Sequence, residues 1–344
     1  MNESVKIGQI GIGYWGPNLL RNLTALSGVE VTWVADQEVK RFAEIGLNGN
    51  HCQRTQNYRE LLVAPNVDAV VIATPAASHF QITREALEAG KHVLVEKPLA
   101  MSAGECEQLK TLAGARQRVL MVGHTFLFSP TVRRLKEYLG SGALGEILYL
   151  YSQRLNLGRV RHDVNALWNF APHDVSIILY LLEQQPVEVS TRGFDYLQPG
   201  IPDVVFMTLV FPGGKAAHVH ISWLDPLKVR RMTVVGTRKM AVYDDVSSDA
   251  KIVLYDRGID RLPTAESPRD FHSFDEFQLQ VRNGDVVIPA FKFSEPLRLQ
   301  CAHFVDCIRT GKAPLTDGEH GGQVVKILEA AQRSLAAQGA PEKI

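Results

Sequence analysis

Gly11-Ile12-Gly13-Tyr14-Trp15-Gly16 constrains the 344-residue chain more than any other stretch. It lies between residues 5–12 (VKIGQIGI), which read as a short buried strand, and Pro17–Leu26, which reads as a helix with proline in its first turn. Three glycines in this spacing at a strand-to-helix junction have separate tasks. The first permits a tight turn, the second lets backbone approach a pyrophosphate, and the third lets helix pack on strand, with the helix N-terminus facing the phosphates. Asp36 falls 20 residues after Gly16, at the end of the second strand, Val29–Ala35. A carboxylate there accepts hydrogen bonds from an adenosine ribose. It favours NAD over NADP, because a 2′-phosphate would meet like charge; nearby Arg41 is the feature that speaks for NADP.

The punctuation that follows repeats this unit. Val67–Ala73 is an apolar run of strand length, Ser78 opens a helix running to Ala89 with Gly90 as its stop, and His92–Val95 is again a strand. Ser102 with Glu105 forms a capping-box pattern, and Val119–Val122 closes the series. Strands alternating with helices predict a Rossmann-type α/β domain with a doubly wound parallel sheet over residues 1–123. From residue 124 the texture changes. A helix at Arg133–Leu139, a strand at Glu146–Gln153, a helix at Pro172–Leu182, then several strands separated by turn signals such as Pro212-Gly213-Gly214 predict an α+β domain over 124–344. Its sheet is expected to be large, open and mostly antiparallel. Arg257–Asp275 reads as a long loop, and helices at Leu297–Arg309 and Gly318–Ala336 close the chain.

Composition excludes several classes. With 37 Lys+Arg against 37 Asp+Glu the chain carries no electrostatic footprint for nucleic acid or anionic membrane. No apolar run approaches the ~18 residues of a membrane span, and the N-terminus shows no leader, so a cytoplasmic protein is expected. Cys52, Cys106, Cys301 and Cys307 show no C-x-x-C spacing and read as free thiols. His218 and His220 alternate on one strand face and are too few for a metal; none is expected.

Two further segments sit at strand ends, where open α/β sheets bind ligands: Thr74-Pro75 with His79, and Glu96-Lys97-Pro98. Together with Gly11–Gly16 and a later His173-Asp174 pair they resemble the Gfo/Idh/MocA family, NAD(P)-dependent oxidoreductases of sugars and cyclitols. The resemblance covers nearly the whole chain, and the Glu-Lys-Pro turn is its most specific element. It implies that Gly11, Gly13, Tyr14, Trp15, Gly16, Asp36, Thr74, Pro75, His79, Glu96 and Lys97 hold the cofactor, NAD. It also implies that Lys97 contacts the reacting hydroxyl and that His173 accepts its proton. The family's usual Asp four residues earlier is Asn169 here, which can orient a ring or bind a hydroxyl but cannot stabilise an imidazolium as a carboxylate would. The usual opening of the second domain, with Arg before Pro, reads His124-Thr125-Phe126-Leu127-Phe128-Ser129-Pro130 instead. On the expected Pro172–Leu182 helix His173 lies in the first turn, where the macrodipole keeps its ring neutral, while Asp174 pulls the other way.

Arg154, Asn156, Arg159, Arg161 and Asn165 precede that helix and can clamp a diphosphate and sugar hydroxyls. With Lys97, Asn169 and His173 they form the expected substrate set. The stretch from Arg154 to Asp174 is similar to family members of nucleotide-sugar biosynthesis, implying oxidation of a UDP-N-acetylhexosamine or its uronate at C3. The alternatives are a free-sugar or inositol dehydrogenase, an NAD-dependent glycosidase of the same family, and a cofactor-binding regulator. A small-molecule substrate and a homodimer or homotetramer through the second-domain sheet complete the expectations.

Overall fold

The computed structural model describes residues 4–45, 52–261 and 279–344. They form two compact units: the first comprises Met1–Ser129, Ala171–Ile177 and Ser294–Arg333, the second Pro130–Phe170, Ile178–Phe293 and Ser334–Ile344.

The first unit alternates β1 (Val5–Ile10), α1 (Gly16–Thr24), β2 (Val29–Ala35), α2 (Arg41–Glu44), β3 (Gln53–Thr55), α3 (Tyr58–Val63), β4 (Ala69–Ile72), α4 (His79–Glu88), β5 (His92–Glu96), α5 (Ala103–Ala115) and β6 (Leu120–Gly123). Six strands pair in the order β3-β2-β1-β4-β5-β6, every pair parallel. This is the doubly wound order, whose direction reverses between β1 and β4. Helices cover both faces, so β4 is apolar and buried at every position. Sequence pattern misses the short β3 and α3, which carry too few apolar residues to show a period.

In the second unit α6 (Pro130–Gly140) precedes β7 (Ile147–Leu157). The helix α7 (Ala166–Leu182) contributes to both units. Then follow β8 (Glu188–Phe194), β9 (Val204–Val210), β10 (Ala216–Ser222), β11 (Leu224–Gly236), β12 (Met240–Asp244), β13 (Ile252–Arg261) and β14 (Leu279–Val287). The chain ends in α8 (Pro296–Thr310), α9 (Gly318–Ala336) and β15 (Glu342–Lys343). Nine strands pair in the order β14-β13-β12-β11-β7-β10-β9-β8-β15, antiparallel except for β7 and β10. Trp223 and Phe211 are buried on the inner side of this sheet. Asp203, fully buried, holds a corner by accepting from Tyr196 N and Leu197 N at 2.8 Å each and from Trp223 Nε1.

Three differences from the sequence pattern have physical reasons. The closing helices do not belong to a second domain running unbroken from residue 124. Leu297, Cys301, Phe304 and Val305 recur at helical spacing on α8 and pack into one core with Ile7, Leu19, Leu23, Val71, Leu94 and Phe128 of the first unit. Arg257–Arg261, expected in a loop, is strand, because β14 supplies a partner: Ile259 pairs with Val281. The rest of that stretch lies outside the described residues. Finally, α7 starts at Ala166, not Pro172: Asn165 Oδ1 accepts from Trp168 N at 3.1 Å and caps it, and Pro172 sits inside the helix.

Among the described residues no helix is long and apolar enough to cross a membrane. Phe304 is fully buried beneath the parallel sheet. Phe304→Ala is expected to lower unfolding stability by about 3–5 kcal/mol, read as a shifted midpoint in urea denaturation followed by far-UV circular dichroism.

Candidate active site

The glycine loop is built by close approach. Gly11 adopts φ +90°, and a Cβ on it would lie 2.6 Å from the carbonyl oxygen of Ala73 across the switch between β1 and β4. A Cβ on Gly16 would lie 2.4 Å from the carbonyl oxygen of Gly11, so α1 can start there only without one. Gln9, fully buried, ties the turn by donating from Nε2 to Gly11 O and Gly16 O at 3.0 and 2.8 Å. Gly13 differs: a Cβ there would approach only the Arg41 side chain, at 3.5 Å. Its backbone face therefore stays open to a pyrophosphate, and no side chain caps the first turn of α1. The loop fits a dinucleotide. Tyr14 and Trp15 are exposed.

Asp36, at the end of β2, is buried to 8% exposure. Its carboxylate accepts from Ile12 N at 2.8 Å, from Glu38 N at 2.9 Å and from Arg41 at 3.1 Å. The acid predicted to read the ribose thus also fixes the glycine loop through Ile12. Arg41, held by Asp36 and Glu38, lies on the Asp36 side and balances its charge.

Beyond β4, Ser78 turns its hydroxyl back onto Thr74 Oγ1 and Pro75 O, both at 2.8 Å, instead of capping α4. His79 is buried to 1% exposure, with Nδ1 2.7 Å from Pro98 O and Nε2 2.9 Å from Thr74 O. Expected among the cofactor ligands, it has both ring nitrogens occupied by backbone and instead ties the end of β4 to the turn after Lys97. Burial lowers its pKa against the pull of the two carbonyls, and Lys97 lowers it further. Glu96 ends β5, pairing in register with Gly123, and Lys97 follows it directly.

Sequence reasoning missed what surrounds Lys97. His124, immediately after β6, is buried and meets His320 of α9 edge-on, with ring centroids 5.3 Å apart. Burial drives the His124 pKa well below the usual imidazole value, and His320 and Lys97 push the same way; burial takes His320 to about 4. Both rings are therefore neutral near pH 7. The position of His124 at a strand end is a signal the sequence contains; His320 lies too far along the chain to be linked to it by spacing. Two residues beyond His124, Phe126 packs edge-on against His173 with centroids 5.1 Å apart. His173 is not in a first turn, since α7 begins seven residues earlier. The macrodipole argument for its neutrality does not hold, because the effect is confined to the terminal turn. Asn169 lies one turn before it on the same helix.

The arginine segment belongs to the second unit. Arg154 and Asn156 are within β7, with Arg154 buried to 6% exposure and paired with Arg230 of β11 in the sheet register. Arg159 is exposed. Arg161 donates through Nε to Asp163 at 2.7 Å, and Asn165 is first of all the cap of α7. His218 and His220 stack on Phe206 with centroids 6.5 and 4.4 Å apart, on one face of β10. Among the described residues no group of three or more His, Cys, Asp or Glu could hold a metal ion. The described cysteines are all free.

Replacing Asp36 by Ser removes a charged acceptor for a ribose hydroxyl, worth about 1.5–3 kcal/mol. Asp36→Ser is expected to weaken NAD by roughly 10–100-fold and NADP by less, so that the ratio of the two dissociation constants measured by calorimetry narrows.

Comparison with known proteins agrees with this geometry. Residues 5–124 match the family model described as "Oxidoreductase family, NAD-binding Rossmann fold", and residues 132–242 match the "GFO/IDH/MocA C-terminal domain". The UDP-N-acetylglucosamine 3-dehydrogenase of Acidithiobacillus ferrooxidans is 28% identical, over 77% of this chain and 82% of its own length. The scyllo-inositol 2-dehydrogenase (NAD(+)) of Bacillus subtilis is 25% identical over 92% and 89%. A solved structure from Magnetospirillum magnetotacticum, assigned as an oxidoreductase, is 30% identical with a TM-score of 0.80, over 95% of this chain and 99% of that one. With the glycine loop, the buried acid after β2 and the Glu-Lys-Pro turn all at one sheet edge, the chain belongs to the Gfo/Idh/MocA oxidoreductases, and residues 5–124 match their NAD-binding fold.

Proposed function

We propose that this protein is an NAD-dependent dehydrogenase of sugars or polyols that oxidises, or in reverse forms, a ring hydroxyl. The observation that carries the proposal is that Lys97 and His173 both belong to the first unit, at the ends of neighbouring strands. Lys97 follows β5, and His173 rests on Phe126 just beyond β6, the strand beside it. NAD, when bound, accepts the hydride at its nicotinamide C4. Lys97 donates a hydrogen bond to the hydroxyl oxygen as its charge develops, and His173 takes the hydroxyl proton. Asn169, one helical turn before His173, orients the ring or a neighbouring hydroxyl, so that His173 works without a carboxylate at that position. Gly11, Gly13, Gly16, Asp36, Thr74 and Pro75 bind and orient the dinucleotide.

The substrate we favour is a nucleotide-linked sugar, a UDP-N-acetylhexosamine or its uronate, oxidised at C3. Exposed Arg159, together with Arg161 in the same segment, supports it, as does likeness to the UDP-N-acetylglucosamine 3-dehydrogenase. The Arg161–Asp163 ion pair is partly exposed and worth at most about 1 kcal/mol, so a diphosphate can displace Asp163 cheaply. Arg154 is poorly suited to such a clamp, because it is buried within a strand. That burial and the likeness to an inositol dehydrogenase favour a free polyol as the second reading. The four free thiols suit a cytoplasmic enzyme.

Turnover of UDP-N-acetylglucosamine, its uronate, glucose and inositol with NAD separates these readings. His173→Ala and Lys97→Ala are expected to lower kcat/KM by about 10²–10⁴-fold on the true substrate, with NAD still bound by His173→Ala. Arg159→Ala should raise KM for UDP-sugars alone. Activity on inositol only, insensitive to Arg159→Ala, would transfer the assignment to a polyol dehydrogenase.

The open face of the nine-stranded sheet carries Tyr149 stacked on Tyr151 (6.4 Å), Phe194 stacked on Tyr196 (6.2 Å) and Phe206. Exposed aromatic area of this kind supports a homodimer or homotetramer through that face. Sedimentation at micromolar concentration is expected to give a dimer or larger, and Tyr151→Glu to give monomer.

A further inference from the structure

Trp15 and Glu96 join two parts of the first unit that the reaction must bring together. Trp15 belongs to the glycine loop, and its indole Nε1 donates to Glu96 Oε1 at 3.0 Å. Glu96 precedes Lys97 at the end of β5. The carboxyl lies flat against Gly123 of β6: a Cβ there would meet Glu96 Oε1, Cδ and Oε2 at 2.9, 3.0 and 3.1 Å. Only glycine leaves that space.

We propose that Glu96 is a positioning residue whose carboxylate couples the cofactor loop, through Trp15, to the ammonium of Lys97. The inference rests on Lys97 acting at the reacting hydroxyl. In its ionised state Glu96 accepts from the Trp15 indole and attracts Lys97, holding the glycine loop and the Lys97 turn in one arrangement. In its protonated state it loses the charge that holds both.

The surroundings put the switch between these states within reach. Burial pushes Glu96 up to about 7, against Lys97, the Trp15 N–H and the Lys97 backbone N–H, which all favour the carboxylate. The groups that face it from other elements do not compete for its proton. Cys301 of α8 remains a thiol, raised by burial and then by Glu96 to about 12, and β6 offers Gly123 without a side chain. Because the folded-state pKa is raised above that of the unfolded chain, stability falls as pH rises from the ordinary carboxylate range to about 7. Ionisation costs stability and creates the coupled arrangement. An acid group kept at such a cost beside a lysine at the ligand-binding edge of the sheet is a functional candidate on physical grounds.

The first two measurements need no substrate. Tryptophan emission of the NAD-free protein, followed from pH 5 to 9, is expected to show a one-proton transition near pH 7 that disappears in both Trp15→Phe and Glu96→Gln. NAD affinity by calorimetry should weaken by about tenfold from pH 8 to pH 6 in the wild-type protein, as a single proton requires, and lose this dependence in Glu96→Gln. If Glu96→Gln does not fold, Glu96→Asp keeps an ionisable group beyond reach of the indole. It is expected to abolish the fluorescence transition while the acid limb of kcat/KM shifts. An emission transition unchanged by these substitutions, or no transition between pH 6 and 8, overturns the coupling. Should Lys97→Ala retain full turnover while the transition responds as expected, the coupling stands as a device of the cofactor loop and the assignment of Lys97 fails instead.

Discussion

Six strands running in one direction present all their carboxyl ends along a single edge, and that parallelism organises the chemistry of this molecule. Gly11 follows β1, Asp36 follows β2, Thr74 follows β4, Lys97 follows β5 and His124 follows β6. No pair of them is adjacent in sequence; the sheet order alone assembles them. The reversal of direction between β1 and β4 opens the crevice, and its tightest point is the contact between Gly11 and the Ala73 carbonyl. Parallel strands need helical crossovers, which bury the sheet on both faces and leave its ends as the place for polar groups.

Electrostatics at that edge is arranged around one ammonium. Lys97 is near two buried imidazoles, His79 and His124, whose pKa values burial lowers, and beside one carboxyl, Glu96, whose pKa burial raises. Desolvation thus pushes all three toward neutrality, by opposite directions of shift. Each then has a geometric use. His79 lies between two backbone carbonyls and donates its one N–H to one of them, His124 packs against His320, and Glu96 takes the indole N–H of Trp15.

Much of the first unit was legible in the sequence because its signals are local. A glycine triplet, an acid at the next strand end and the Glu96-Lys97-Pro98 turn each lie within a few residues of the strand that positions them. The second unit was legible as a class, since hairpin turns such as Pro212-Gly213-Gly214 mark antiparallel strands. What escaped was non-local. The start of α7 depends on an Asn165 cap, and Pro172 looked like a beginning only because prolines usually stand there. His320 reaches His124 through the packing of α9, and the partner that makes Arg257–Arg261 a strand comes after a polar stretch. The Trp15–Glu96 hydrogen bond joins two motifs that were each recognised, but no spacing rule says that they touch.

The return of α8 to the first core has a consequence for how the chain comes into being. Ile7, Leu19, Val71 and Leu94 leave the ribosome well before the Leu297–Val305 stripe that covers them. Until then the parallel sheet has an uncovered apolar side, and the closing loop spans most of the chain, with an entropy cost that grows only slowly with its length. The nucleotide-binding unit therefore cannot finish folding when its own strands have emerged, because part of its core comes about 200 residues after β5. Its completion waits for Leu297–Val305 to emerge, and during that interval the newly made chain depends on protection from aggregation.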